Sequence, residues 1–72
     1  MKKRLGYYTP YIKVKQIKKD GKIVGDLTLT AHAYGYAVKL HYFDQPGYAV
    51  NEIIPTETKA IRFFDKTYEE VS

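Results

Sequence analysis

An Asp-Gly pair at residues 20 and 21 is the strongest constraint on how this chain folds. It stands between two segments in which apolar and polar side chains alternate. Alternation with a period of two residues is typical of a strand with one buried face. A two-residue type I′ turn needs positive φ at both central positions, which Asp and Gly tolerate best. The sequence therefore predicts a β-hairpin that reverses at Asp20 and Gly21.

The register of this hairpin follows from its turn. If Lys19 lies opposite Lys22, one face carries two apolar pairs, Ile12 with Leu29 and Val14 with Leu27. Lys13 and Lys15 then lie on the other face, where Lys15 meets Asp26 as an opposite-charge pair. The discordant residue is Ile17, which this register places on the polar face unless a bulge or bend at Gly25 turns it inward.

A second hairpin is predicted, in which a turn at residues 45–48 joins a strand at residues 36–43 to a returning strand at residues 48–54. The middle segment fits a type II turn because Pro46 fixes φ and Gly47 accepts a positive φ. Pro55 ends the returning strand, since it has no N–H to donate to the ladder.

The remaining residues predict a turn, a strand and a short helix. Residues 55–58 fit one turn of 3₁₀ helix, and residues 59–64 fit a fifth strand. Thr67 and Glu70 match a capping box, so residues 67–72 are expected to begin a short helix or to fray.

Five short antiparallel strands predict a mainly β fold, either a small five-stranded barrel, SH3-like in element order, or a strongly twisted sheet. The competing architecture is an open, hairpin-rich sheet covered by the C-terminal helix. The chain of 72 residues is expected to be a single domain, in which residues 1–10 form a basic N-terminal arm that is either ordered or mobile. The predicted core consists of Ile12, Val14, Leu27, Leu29, Val38, Leu40, Val50, Ile53, Ile61 and Phe63.

Charge is distributed unevenly along the chain. Residues 1–22 hold eight cationic side chains against one acidic side chain, a net of +7, whereas residues 23–72 hold four against seven, a net of −3. This asymmetry favours polyanions, an acidic protein surface or head-to-tail self-association as partners. Lysines at a terminus and at turns also serve solubility.

The sequence has few of the residues and motifs on which enzymes rely for catalysis. Cys is absent, the only serine is Ser72, and the five glycines are scattered rather than grouped in a phosphate-binding loop. His32 and His41 belong to no short-spaced metal motif. We therefore expect a non-enzymatic protein with no catalytic residues, no metal site and no cofactor.

Aromatic residues supply the main functional clue. Eleven of the 72 residues are aromatic and eight are tyrosines, more than a core of this size can bury. Tyrosine can pack at an interface or stack on a base, and lysine or arginine can neutralise phosphates. The two residue types are interleaved near the N-terminus, where the predicted binding site for nucleic acid or another partner comprises Lys2, Lys3, Arg4, Tyr7, Tyr8, Tyr11, Lys13 and Lys15.

The sequence thus predicts a cytoplasmic binding module for nucleic acid, single-stranded or without sequence specificity. The alternative is a protein-binding module or inhibitor, of the kind a bacterial mobile element or phage encodes, that docks on a larger acidic or nucleic-acid-binding protein. That docking would use a strand edge near residues 7–15 or a patch around Tyr34, Tyr36 and Tyr48. Self-association into a homo-oligomer is a third option. No membrane partner is expected, because no apolar run approaches the length of a membrane span.

Overall fold

The computed structural model describes residues 11–72, which form one antiparallel sheet and one helix. The elements are β1 (Tyr11–Lys19), β2 (Lys22–His32), β3 (Gly35–Tyr42), β4 (Val50–Ile54) and α1 (Glu57–Val71). The four strands follow one another in the sheet in the order β1-β2-β3-β4. The mainly β prediction is confirmed, whereas the closed five-stranded barrel is wrong. The competing architecture, an open sheet with a C-terminal helix, is the observed one.

The predicted fifth strand is part of α1. Ala60, Phe64 and Thr67 are the buried residues of this helix, and their spacing of four and three residues places them on one helical face. The predicted 3₁₀ turn at residues 55–58 and a helix start at Thr67 are also wrong. The N-cap is Thr56, and its carbonyl accepts the backbone N–H of Ala60 at 3.0 Å.

The first predicted hairpin turn has the expected backbone, whereas the second connection, from Tyr42 to Val50, is longer than predicted. Asp20 and Gly21 have φ values of 54° and 79°, as a type I′ turn requires. Gly47 has a φ of 74°, in keeping with its predicted place in the turn between β3 and β4.

The register of the first hairpin differs from the prediction by one residue over most of its length. Lys19 does lie opposite Lys22, but the pairing shifts between Ile17 and Lys18, so that Ile17 lies opposite Gly25. The shift turns Ile17 inward and leaves it with no exposed surface. The bulge that the sequence suggested near Gly25 is therefore present, and it reverses the facing of the β1 residues that precede it.

The core lies between α1 and the strands. Leu27, Leu29, Val38 and Leu40 are buried as predicted, and Val50, Ile61 and Phe63 are partly buried against them. Three predicted core residues are instead exposed, namely Ile12, Val14 and Ile53, at 40%, 48% and 40%. The core residues that the prediction omitted are Ile17, Ala60 and Phe64, and Ala37 is buried on the opposite face of the sheet.

Within residues 11–72, no helix has the length and apolar character needed to cross a membrane.

Candidate functional site

The sheet has two unlike faces. One face packs on α1 and carries the buried leucines of β2 and the buried Val38 and Leu40 of β3. On the opposite face, which we call the open face, no element of the described residues is packed. Alternation along the strands places Thr28 on the open face, between Val14 of β1 and Lys39 of β3.

Lys13 and Lys15 lie on the helix side of the sheet, so the prediction that they point away from the core is wrong. Lys13 lies opposite Leu29 and Lys15 opposite Leu27, both of which are buried. The Lys13 Nζ stands 5.2 Å from the centroid of the Phe64 ring, and the Lys15 Nζ stands 5.3 Å from that of Tyr68. Their alkyl stems extend along the rim of the core while their ammonium groups lie against helix rings.

This inverted facing leaves apolar surface on the open face of β1. Val14 is 48% exposed there, while Lys13 and Lys15 on either side of it face the helix. Ile12, at the register shift between Tyr11 and Lys13, is 40% exposed. Exposed apolar side chains on an edge strand are surface that a ligand or partner can cover.

A groove of about 490 Å³ lies on the open face. The lining includes the small side chains of Thr28, Thr30 and Ala37 on the two central strands, and the larger Tyr11, Lys39 and Tyr48. The full lining consists of Tyr11, Asp26, Thr28, Thr30, Ala31, His32, Ala37, Lys39, His41 and Tyr48.

Three aromatic rings and a lysine meet at one corner of the groove. The centroids of the His41 and Tyr48 rings are 5.9 Å apart with the rings edge-on, and the Phe43 ring lies at the same distance from His41, also edge-on. The Lys39 Nζ stands 5.1 Å from the centroid of the Tyr48 ring. Tyr48 and Phe43 are 54% and 55% exposed, so both rings offer free surface. We call Lys39, His41, Phe43 and Tyr48 the aromatic corner.

Tyr11 lies towards the other end of the groove. It pairs with Thr30, four residues along β2 from Asp26, the partner of His41. At about 3.4 Å per residue the two rows are about 14 Å apart along the strands. Tyr11 is 58% exposed. The groove thus has an accessible tyrosine at each of two distant corners, with Lys39 between them.

One acidic side chain lines the groove. Asp26 lies between Gln16 of β1 and His41 of β3 in a cross-strand row that we call the polar row. The ion pair found within residues 11–72 joins Lys13 to Asp65, so Asp26 has no ion-pair partner in this part of the chain. No group of three or more metal-ligating side chains is found among the described residues.

The hairpin tip beyond the polar row is basic. Lys18, Lys19 and Lys22 are exposed there, and Asp20 is the single acidic residue among them. Gln16 is three residues from Lys19 along β1, a distance of about 10 Å at the usual rise of a strand. Positive charge therefore lies just past the end of the groove that holds the aromatic corner.

The sequence-predicted site is only partly described by the structure. Its residues Lys2, Lys3, Arg4, Tyr7 and Tyr8 lie outside the described residues. Tyr11 lines the groove, while Lys13 and Lys15 are on the other side of the sheet.

The predicted patch of three tyrosines is not one surface. Tyr36 packs against the core on the helix side, Tyr34 is at the β2–β3 turn with 80% exposure, and only Tyr48 lines the groove. Sequence reasoning also missed Lys39, His41 and Asp26. The available signal was the paired alternation of β2 and β3, which places all three on the face opposite Leu27 and Leu40.

Comparisons with protein-family models, with curated proteins and with solved structures find no match for this chain. Any inference about function therefore rests on the residues of the open face.

Proposed function

We propose that this protein binds single-stranded nucleic acid on the open face of its sheet. The observation that carries the proposal is the groove itself, in which exposed tyrosines stand at two corners with Lys39 between them. Bases of an unpaired strand stack on aromatic rings, and lysine neutralises the phosphates that link them.

The shape of the groove favours a flat ligand over a globular one. Thr28, Thr30 and Ala37 are small and lie on the central strands, whereas the large Tyr11 and Tyr48 come from the edge strand β1 and from the loop before β4. A base that enters would find a ring beside it and hydroxyl groups beneath it, which can hydrogen-bond to bases or sugars.

Charge supports the same ligand class. The chain carries a formal net charge of +4. Lys18, Lys19 and Lys22 at the hairpin tip continue the positive surface beyond the groove, so a strand that leaves the aromatic corner would meet further phosphate-binding groups.

Protein docking is the second candidate, and the exposed apolar side chains of the edge strands favour it. Ile12 and Val14 on β1 and Ile53 on β4 are each at least 40% exposed. An acidic protein could cover them while its carboxylates paired with the tip lysines.

Salt dependence separates the two candidates. In a fluorescence-anisotropy titration with labelled single-stranded RNA, single-stranded DNA and duplex, binding to single strands should weaken log-linearly as salt rises. Binding that is absent at low salt would overturn the nucleic-acid proposal and direct the search to protein partners. Light scattering on the same sample measures the oligomeric state.

Matched variants locate the site. Lys39→Ala should weaken binding to all single strands and lower the salt slope by about one, whereas Lys59→Ala, on the exposed side of α1, should do neither. Tyr48→Ala should lose a stacking platform, and the control Tyr34→Ala removes a more exposed ring outside the groove lining. Equal effects of the groove variants and their controls would show that the open face is not the site.

A further inference from the structure

A carboxylate in a groove that binds phosphates needs an explanation. Asp26 lines the groove beside the aromatic corner and has no ion-pair partner within residues 11–72. Its charge repels phosphate, so it weakens non-specific binding of a nucleic-acid backbone. A carboxylate can only accept hydrogen bonds, and the ligand group beside it must therefore be a donor.

We propose that Asp26 reads the Watson–Crick edge of a guanine base, an inference that rests on the proposed function. Guanine carries two adjacent donors on that edge, N1–H and the N2 amino group, and the two oxygens of one carboxylate can accept both. Adenine and cytosine place a ring-nitrogen acceptor beside their amino donor, and uracil flanks its single N–H with two carbonyls. Each of these three bases would turn an acceptor towards the carboxylate.

The surroundings of Asp26 suit a stacked base. His41 lies opposite Asp26 on β3, and its ring is 5.9 Å from the ring of Tyr48. A guanine packed against Tyr48 at this corner would have its edge towards the polar row. Gln16, on the other side of Asp26, adds an amide that can both donate and accept at the same edge.

Backbone binding and base selection would be carried by different residues of the open face. Lys39 lies two residues before His41 on β3, and so on the same face of the sheet. Phosphate contacts through Lys39 would position the strand without regard to sequence, and Asp26 would select the base. Selection by one bidentate contact is expected to be about tenfold or more, the usual range for such pairs.

The test uses the full chain and short labelled oligouridines that differ in one central base. If DNA binds more tightly, oligothymidines replace them. The guanine-containing strand should bind about tenfold more tightly than those with adenine or cytosine. Inosine keeps N1–H and lacks the N2 amino group, so it should bind with intermediate affinity. A single central guanine avoids the folded structures that guanine runs form.

Asp26→Asn provides the site-specific readout, with Asp44→Asn as its control. The amide at position 26 replaces one acceptor by a donor, which should remove the guanine preference and leave or raise affinity for the other strands. Asp44 is an exposed residue of the β3–β4 loop outside the groove lining, and its substitution changes net charge equally. Circular dichroism and thermal unfolding check that both variants fold.

The outcomes separate the two proposals. Guanine preference in the native protein that Asp26→Asn abolishes and Asp44→Asn retains supports the inference. Equal binding of all four central bases, or a preference that survives Asp26→Asn, overturns it while the proposed function stands. Failure of every oligonucleotide to bind at low salt overturns both.

Discussion

The Lys13 ammonium donates a hydrogen bond to Asp65 Oδ1 at 2.9 Å and so joins the edge strand β1 to the helix α1 across 52 residues of sequence. The two side chains are 33% and 54% exposed. The same lysine stands over the Phe64 ring, so its position is set by the helix on two sides. The contact agrees with the register of β1, in which Lys13 lies on the helix side and Val14 on the open face.

A double-mutant cycle on this pair should give a small coupling energy. Lys13→Gln and Asp65→Asn each remove the ion pair, and solvent screening at these exposures limits the coupling to about 0.2–1 kcal/mol. Chemical denaturation of the two single variants and the double variant measures it. A coupling of zero would mean that the helix ring, rather than the carboxylate, holds Lys13 in place.

Neighbouring positions on β1 should differ sharply in their tolerance of alanine. Ile17 has no exposed surface, so Ile17→Ala should lower the free energy of unfolding by about 2–5 kcal/mol. Val14 is 48% exposed on the other face, and Val14→Ala should cost less than about 1 kcal/mol. Urea denaturation of both variants is the measurement. A larger loss for Val14→Ala than for Ile17→Ala would instead favour the register without a bulge, in which Val14 faces the core.

Local chemistry predicted the turns and the central strands of this fold. Asp20 and Gly21, and likewise Gly47, act through their own backbone preferences, which no distant contact overrides. The alternation of apolar and polar residues along β2 and β3 also predicted which side chains are buried, because both strands are central and each has one side packed on α1.

The helix was mistaken for a strand because its core-facing residues span a longer window than the one considered. Within residues 59–64, Ile61 and Phe63 stand on either side of the charged Arg62, as in a strand. The helical face becomes visible only over a longer window, in the spacing of Ala60, Phe64 and Thr67. Competition between the two periods is resolved by what the segment packs against, which is a tertiary property.

For the candidate site, the sequence predicted the types of residue but not which of them lie together. Lysines and tyrosines were expected to cooperate, and Tyr11 does line the groove with a lysine and a second tyrosine. That lysine is Lys39 of β3, and the second tyrosine is Tyr48 of the loop after β3. The predicted Lys13 and Lys15 are instead on the helix side, because the register shifts by one residue near Ile17. Register errors of one residue exchange the faces of a strand, so facing is the least predictable property of such a site.

The glycine at the β2–β3 turn should be harder to replace than the glycine at the next turn. Gly35 has a φ of 138°, and an added Cβ would lie 2.8 Å from the Cα of Pro55. Gly35→Ala should therefore cost about 2–5 kcal/mol through backbone strain and overlap with the chain after β4.

The matched control for Gly35→Ala is Gly47→Ala. Gly47 also has a positive φ, at 74°, but an added Cβ would meet no atom within 4 Å. Its replacement should cost only the backbone term, about 1–2 kcal/mol. Thermal unfolding of both variants compares them. Equal losses would indicate that the approach of Pro55 to Gly35 does not limit the turn.

Charge reversal at the two ends of α1 should change stability in opposite directions. The first turn carries Glu57, which favours the helix dipole, while the last turn carries Glu69 and Glu70 and no basic residue. Glu57→Lys should destabilise the protein and Glu69→Lys should stabilise it, each by about 0.3–1 kcal/mol at low salt. Glu69→Lys also places a cation four residues after Asp65, an orientation that favours the helix. A domain of this size should show each change as a shift of the midpoint of thermal unfolding by a few degrees, roughly 2–6 °C, and added salt should reduce both shifts. Shifts of the same sign would mean that contacts with neighbouring side chains, and not the dipole, set the effect of charge on this helix.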